Sequence, residues 1–183
     1  MDTKIRELMI PLQEYPKIAE GASLSQAVKI LEAAHENLKF RNYKARAVLV
    51  TDAAGRVVGK LNMWGCLRAL EPKYQDIADF DRLTHFGLNP DFLRSMVDSH
   101  GLWVDPFDAL CSKAAERHVR DFMTVPGQDE YVEADDNVVD GIHHLLMGKH
   151  MSLLVREGDE VVGIFRLSDV FEFVTEKIKN CGV

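Results

Sequence analysis

Apolar positions along this chain recur at two spacings, and the two alternate in the same order twice. Ala27, Val28, Ile30, Leu31 and Ala34 fall on one side of a helix; Ser23 precedes them, and Gln26 three residues later completes a capping box. A hundred residues on, Val138, Ile142, Leu145 and Leu146 repeat that face behind Asn137. Each helix is followed by two short strands. Ala47 to Val50 leads through T-D-A-A-G-R to Val57 and Val58, and Leu153 to Val155 leads through R-E-G-D-E to Val161 and Val162. Gly and Asp between β-branched runs predict a hairpin in each case. A helix closes each set, Met63 to Leu70 in the first, and Ser168 to about Lys179 in the second, with Val170, Phe171, Val174 and Ile178 on one face.

The two sets are copies. I-R-E-L-M at residues 5–9 matches V-R-D-F-M at 119–123, an offset of 114 that continues through Ile18 and Val132 to Leu31 and Leu145. The offset then falls to 105 between Val48 and Leu153, so the first copy holds nine extra residues, within 36–44. That stretch is charged and aromatic and is expected to extend the helix or form a surface loop. V-V-G at 57–59 returns letter for letter at 161–163. A module of roughly 55 to 65 residues seldom buries enough surface alone, so the copies are expected to pack together, with function in their seam.

Residues 71–118 join the copies and are too long for an idle loop. Asn89-Pro90 and Asp105-Pro106 each set a capping residue before a proline, which marks a helix start. Phe92, Leu93 and Met96 suit one short helix, and Phe107, Leu110 and Ala114 a second. Tyr74, Ile77, Phe80, Leu83 and Phe86 suit a third. Such an insert covers part of a cleft or makes a dimer contact.

Composition narrows the function. The net charge of −7 argues against a nucleic-acid surface, which draws on clustered Lys and Arg. No apolar run is long enough to span a bilayer and no signal peptide is visible, so the chain reads as cytoplasmic. Three isolated cysteines, Cys66, Cys111 and Cys181, make neither a disulfide framework nor a C-x-x-C metal site. His143 and His144 are adjacent and point apart, so no metal centre is expected. The P-loop, the G-x-S-x-G elbow and the H-E-x-x-H helix are missing as well, which leaves an enzyme only as a type without a recognised motif.

Met123-Thr124, the L-L-V strand, V-V-G-I and L-S-D-V at 167–170 together resemble the cystathionine-beta-synthase (CBS) domain in its tandem-pair arrangement. The resemblance implies an α+β fold: small sheets with flanking helices, packed about a pseudo-twofold axis. It divides the chain into a first repeat at 1–70, a helical connecting insert at 71–118 and a second repeat at 119–183. It also implies a non-enzymatic regulatory module whose inter-repeat clefts take adenosine-containing ligands. AMP, ADP, ATP or S-adenosylmethionine would be regulatory, with no obligatory cofactor. A homodimer and an unidentified regulated protein are the implied partners, with no nucleic acid or membrane. The alternative is a structural or protein-interaction module whose nucleotide sites have degenerated.

The family motif at the cleft runs from a glycine, through Thr or Ser for phosphate, to an Asp for the ribose diol. In the second copy it reads G-I-F-R-L-S-D, so Asp169 keeps the ribose role and Arg166 replaces the hydroxyl. In the first it reads G-K-L-N-M-W-G, so Asn62 takes the hydroxyl position and Gly65 stands where Asp should be. Asp169 equally suits simple charge complementarity at a helix start. Arg166 suits a phosphate clamp, an ion pair with Glu130, Asp159 or another acid, or a block across an empty cleft. Lys149, His150 and Arg156 are candidate phosphate helpers or ordinary surface residues. Thr124, Val125 and Pro126 are expected beside the purine of the Asp169 cleft, with Ile10 and Pro11 lining the altered one. Met63, Trp64, Met123 and Met147 are expected to fill the seam, Trp64 standing over the altered cleft.

Overall fold

The structure, a computed structural model, describes residues 3–37, 45–77 and 89–181. The first copy runs α1 (Ile5–Leu8), β1 (Ile10–Pro11), β2 (Lys17–Ala19), α2 (Leu24–Asn37), β3 (Ala47–Thr51), β4 (Val57–Asn62) and α3 (Met63–Arg68). The insert contributes α4 (Pro90–His100) and α5 (Phe107–Ala115). The second copy runs β5 (Tyr131–Glu133), α6 (Val138–Gly148), β6 (Ser152–Glu157), β7 (Glu160–Arg166) and α7 (Leu167–Asn180).

Local chemistry sets these boundaries much as the pattern predicts. Ser23 and Gln26 cap α2 reciprocally, Gln26 N donating to Ser23 Oγ at 3.3 Å and Ser23 N to Gln26 Oε1 at 2.9 Å. The Asn89 side chain accepts from Phe92 N at 2.8 Å, so α4 begins where the Asn-Pro pair predicts. Asp105 does not cap α5. Its carboxylate pairs with Lys113 at 2.5 Å, and Pro106 takes the cap position without a side-chain bond. Of the third insert helix, Pro72–Asp76 forms a 3-10 turn. Residues 78–88 lie outside the described residues, as does most of the extra stretch of the first copy.

The copies are joined by an exchange. Strands β2, β3 and β4 form one sheet, while β1 leaves its own copy to pair antiparallel with β7, giving the order β1-β7-β6-β5 in the other. Ile10 lies opposite Ile164, and the equivalent residue of the second copy, Thr124, lies opposite Lys60 of the first. Backbone bonds repeat the swap with the 114-residue offset. Ile5 N donates to Asp136 O and Val119 N to Ala22 O; Arg6 N donates to Ala134 O and Arg120 N to Glu20 O. Each core therefore contains apolar residues from the other copy's leading segment. Val119 and Phe122 complete the first core around Val48, Val50 and Leu61. Ile5 completes the second around Leu153, Val155 and Phe165. A third cluster, with Ile10, Tyr15 and Leu49 against Leu154 and Ile164, fills the seam.

Within the insert, Glu71 is a buried acid that accepts from Trp103 N at 2.8 Å. Trp103 Nε1 donates to the Tyr74 hydroxyl at 3.0 Å. Ile77, Met96 and Leu102 form a small apolar centre of their own. Leu110 and Ala114 of α5 are buried, whereas Phe107 is exposed.

Candidate functional site

The second copy's motif lies where β7 turns into α7. Arg166 keeps extended backbone (φ −103°, ψ 141°) and Asp169 sits in the first helical turn, so a spacing of three brings their side chains together. The guanidinium forks onto the carboxylate, Nε to Oδ2 at 2.7 Å and Nη2 to Oδ1 at 2.6 Å. Both residues are only 4% exposed. Tyr15, from the loop between β1 and β2, is buried beside the pair. Burial pushes its phenol up to about 12, with the Arg166 charge opposing and the Asp169 charge adding to the shift. The strand side is equally tight, because a Cβ on Gly163 would stand 2.8 Å from Ile10 O. Among the described residues, Arg166, Asp169 and Tyr15 are all buried at this turn.

The first copy's motif is built on the same turn with different chemistry. Asn62 caps α3, its Oδ1 accepting from Gly65 N at 2.9 Å. Gly65 is buried, and a Cβ there would stand 2.5 Å from Phe122 O and 2.8 Å from Leu61 Cδ1. The position is thus closed to any side chain, acidic or otherwise. Lys60 fills the place that Ile164 holds in the other copy. Its Nζ forms an ion pair with Glu130 and donates to Ser152 O at 3.1 Å, tying the first copy to the second. Thr124 is bonded to Lys60 through both backbone groups, at 2.8 and 2.9 Å. Next along the chain from Glu130, Asp129 accepts from His150 Nε2 at 2.9 Å, and this bond holds the Asp129 carboxyl below its usual value.

The expected site residues therefore divide between two clefts. Arg166 and Asp169 meet in one. Thr124, Val125 and Pro126 run beside the first copy's motif with Asn62, and His150 joins them through Asp129, Glu130 and Lys60. This reverses the expected grouping of Thr124, Val125 and Pro126 with Asp169, and of Ile10 and Pro11 with the altered cleft. The swap of leading segments is the cause. Arg166 pairs with neither Glu130 nor Asp159. Arg156 lies elsewhere, its guanidinium 3.4 Å from the centre of the Tyr131 ring, beside a shallow charged depression containing Arg6, Glu133, Asp135 and Glu157. Lys149 ends α6 in left-handed backbone (φ 53°) and is exposed.

Exposure further separates the two clefts. Val125 is 69% exposed and Trp64 72%, so Trp64 stands at the surface rather than in the seam, as do Met63 and Met147; only Met123 packs against a core. Sequence reading missed Tyr15, Lys60 and Asp129, and named Glu130 as a candidate partner of Arg166, whereas it pairs with Lys60. Lys60 carried a signal, a lone charge inside the apolar run V-V-G-K-L. No group of three or more His, Cys, Asp or Glu side chains among the described residues is placed to hold a metal. No helix among them is long and apolar enough to cross a membrane.

No family model matches the sequence, and no curated protein does. Solved structures with the same architecture do match. CBSX2, solved in complex with AMP, superposes with a TM-score of 0.59 at 19% identity, over 94% of this chain and 97% of that one. A CBS domain-containing protein from Kribbella flavida DSM 17836 gives 0.58 at 18% identity, over 94% and 98%. Another, from Bacillus anthracis str. Ames Ancestor, gives 0.61 at 12% identity, over 96% and 94%. The architecture of this chain is that of a tandem CBS-domain pair, a mixed helix-and-sheet fold of two small sheets.

Proposed function

We propose that the chain is a non-enzymatic regulatory module that binds an adenosine-containing nucleotide, and that the working cleft is the one built on the first copy's motif. One observation carries this choice. Thr124 pairs with Lys60, two residues before Asn62, and Lys60 reaches Glu130, next to the Asp129 that holds His150, with Val125 and Trp64 exposed, whereas Arg166, Asp169 and Tyr15 are buried at the other motif. The base would lie against Val125 and the Thr124 backbone, with the phosphate toward the His150 imidazole and the Asn62 amide. The AMP in CBSX2 supports adenosine as the ligand class. Lys60 lies between the site and the second copy, so occupancy would bias how the copies pack, which is how a ligand gains regulatory effect. The output would pass to a second copy or to another protein, in the cytoplasm. Apolar side chains exposed at equivalent positions on α3 (Met63, Leu67) and α7 (Leu167, Phe171) suit pairing with a second copy, which sedimentation would show as a dimer.

Calorimetric titration of the full chain with AMP, ADP, ATP and S-adenosylmethionine tests this reading. The expected result is one site per chain, with His150→Ala weakening a phosphate-bearing ligand by about 1.5–3 kcal/mol if a charged hydrogen bond is lost. The second reading is a structural or protein-interaction module, favoured by the buried Arg166–Asp169 pair and by a residue 65 that admits no acid. Neither heat nor thermal shift with any of the four ligands at millimolar concentration would decide for it.

A further inference from the structure

We infer that Asp129 is a built-in competitor for the nucleotide's phosphate: its carboxylate holds the His150 imidazole while the site is free and gives it up when a phosphate arrives. The inference rests on the proposed function, in which the phosphate lies toward His150, and concerns how that site is regulated. A carboxylate and a phosphate offer an imidazole the same thing, an anionic oxygen that accepts its N–H. His150 Nε2 donates to Asp129 Oδ2 at 2.9 Å. Because an ionised carboxylate only accepts, this bond sets the proton on Nε2 whether or not the ring is charged. The same bond holds the Asp129 carboxyl below its usual value, so it is ionised near neutral pH.

The contact is fitted into its surroundings, and it is able to open. Two glycines make room for it, neither with the positive φ that would itself ask for glycine. A Cβ on Gly148 would overlap His150 Nε2, and one on Gly127 would stand 2.6 Å from Asp129 Oδ1. The Asp129 backbone is tied separately, its carbonyl oxygen accepting from His144 Nδ1 at 3.3 Å, so the side chain can swing away while the turn stays in place. The His150 side chain is 16% exposed and that of Asp129 69%, so water receives the released carboxylate, and an exposed pair of this kind is weak. The Arg166–Asp169 fork, buried on both sides, has no such freedom.

Isothermal titration of the full chain and of its Asp129→Ala variant, with AMP and with adenosine, reads the competition. Asp129→Ala should bind AMP about two- to fivefold more tightly than the parent, the range that freeing one partner of an exposed pair supplies. Adenosine brings no phosphate and should gain nothing. Asp140→Asn removes the same charge near the other end of α6, on the order of 15 Å from His150 along the helix, and should leave AMP affinity unchanged. An AMP affinity that Asp129→Ala leaves unchanged or lowers overturns the inference and leaves the proposed function standing, as does a gain shared by adenosine or matched by Asp140→Asn. Failure of both the parent and Asp129→Ala to bind AMP at millimolar concentration overturns the two together.

Discussion

The two clefts share a backbone and differ in what they do with charge. In the second copy, the strand-to-helix turn carries Arg166 and Asp169, which face each other at a spacing of three and are buried with Tyr15. In the first, the same turn carries Asn62 and Gly65, and the charge sits two residues earlier, on Lys60, which reaches across the seam to Glu130. One turn neutralises itself and closes. The other keeps its motif uncharged, leaves Trp64 and Val125 at the surface, and sends its ion pair into the interface. A retained family residue is therefore a poor guide to an open site here, because its neighbour three residues back captures it.

Four changes would break or sharpen this contrast. The largest effect is expected at Asp169. Asp169→Ala removes both carboxylate bonds from a buried guanidinium and should cost about 3–5 kcal/mol in urea unfolding, whereas Arg166→Met with Asp169→Leu should stay near the parent. A loss below about 1 kcal/mol in the single variant would mean that the second cleft is open to water. Lys60→Met should cost about 2–3 kcal/mol by stranding Glu130, and Glu130→Gln in the same chain should recover most of it; independent additive losses would dissolve the seam pair.

Tyr15 comes next, through pH. Below pH 10 the phenol is protonated whether the chain is folded or not. Above it the unfolded chain releases the proton first, because the folded phenol holds it up to about 12. Stability contributed by the buried phenol is therefore lost as pH rises, by about 1.4 kcal/mol at pH 11. Denaturation curves of the parent and of Tyr15→Phe should diverge by that amount between pH 9 and 11, and parallel curves would place Tyr15 in water. The smallest effect is at Asn62. Asn62→Ala removes a helix cap and should cost about 1 kcal/mol in thermal unfolding, with Asn62→Asp near neutral; no change would remove the cap from the first cleft.

Much of this was legible in the residues. The doubled pattern of helix, hairpin and helix, the capping box of Ser23 and Gln26, and the Asn89-Pro90 helix start are local, and local chemistry decides them. The insert was less legible. Asp105 precedes Pro106 as a cap should, yet Lys113 two turns later claims its carboxylate. The grouping of the site residues was not legible at all. Because the copies share one backbone program, Thr124 has the same hydrogen-bonding groups to offer either copy's strand, and only the completed fold shows that it takes Lys60. The reason for glycine at 65 is likewise a carbonyl 57 residues away in the chain. Arg166 and Asp169 announced their spacing but not their burial, which depends on Tyr15 arriving from the other end.

The exchange of leading segments bears on how the chain is made. The first core lacks Ala114, Val119 and Phe122 until those residues have been synthesised, although the rest of that core ends with Ala69, more than forty residues earlier. During that interval Val48, Val50 and Leu61 have an unfilled groove above them, a lodging for a holdase or for another nascent chain. The second core is spared the wait, since Ile5 precedes the rest of it in the chain and stands ready when Phe165 emerges. Translation thus treats the two halves unequally even though the finished backbone treats them alike.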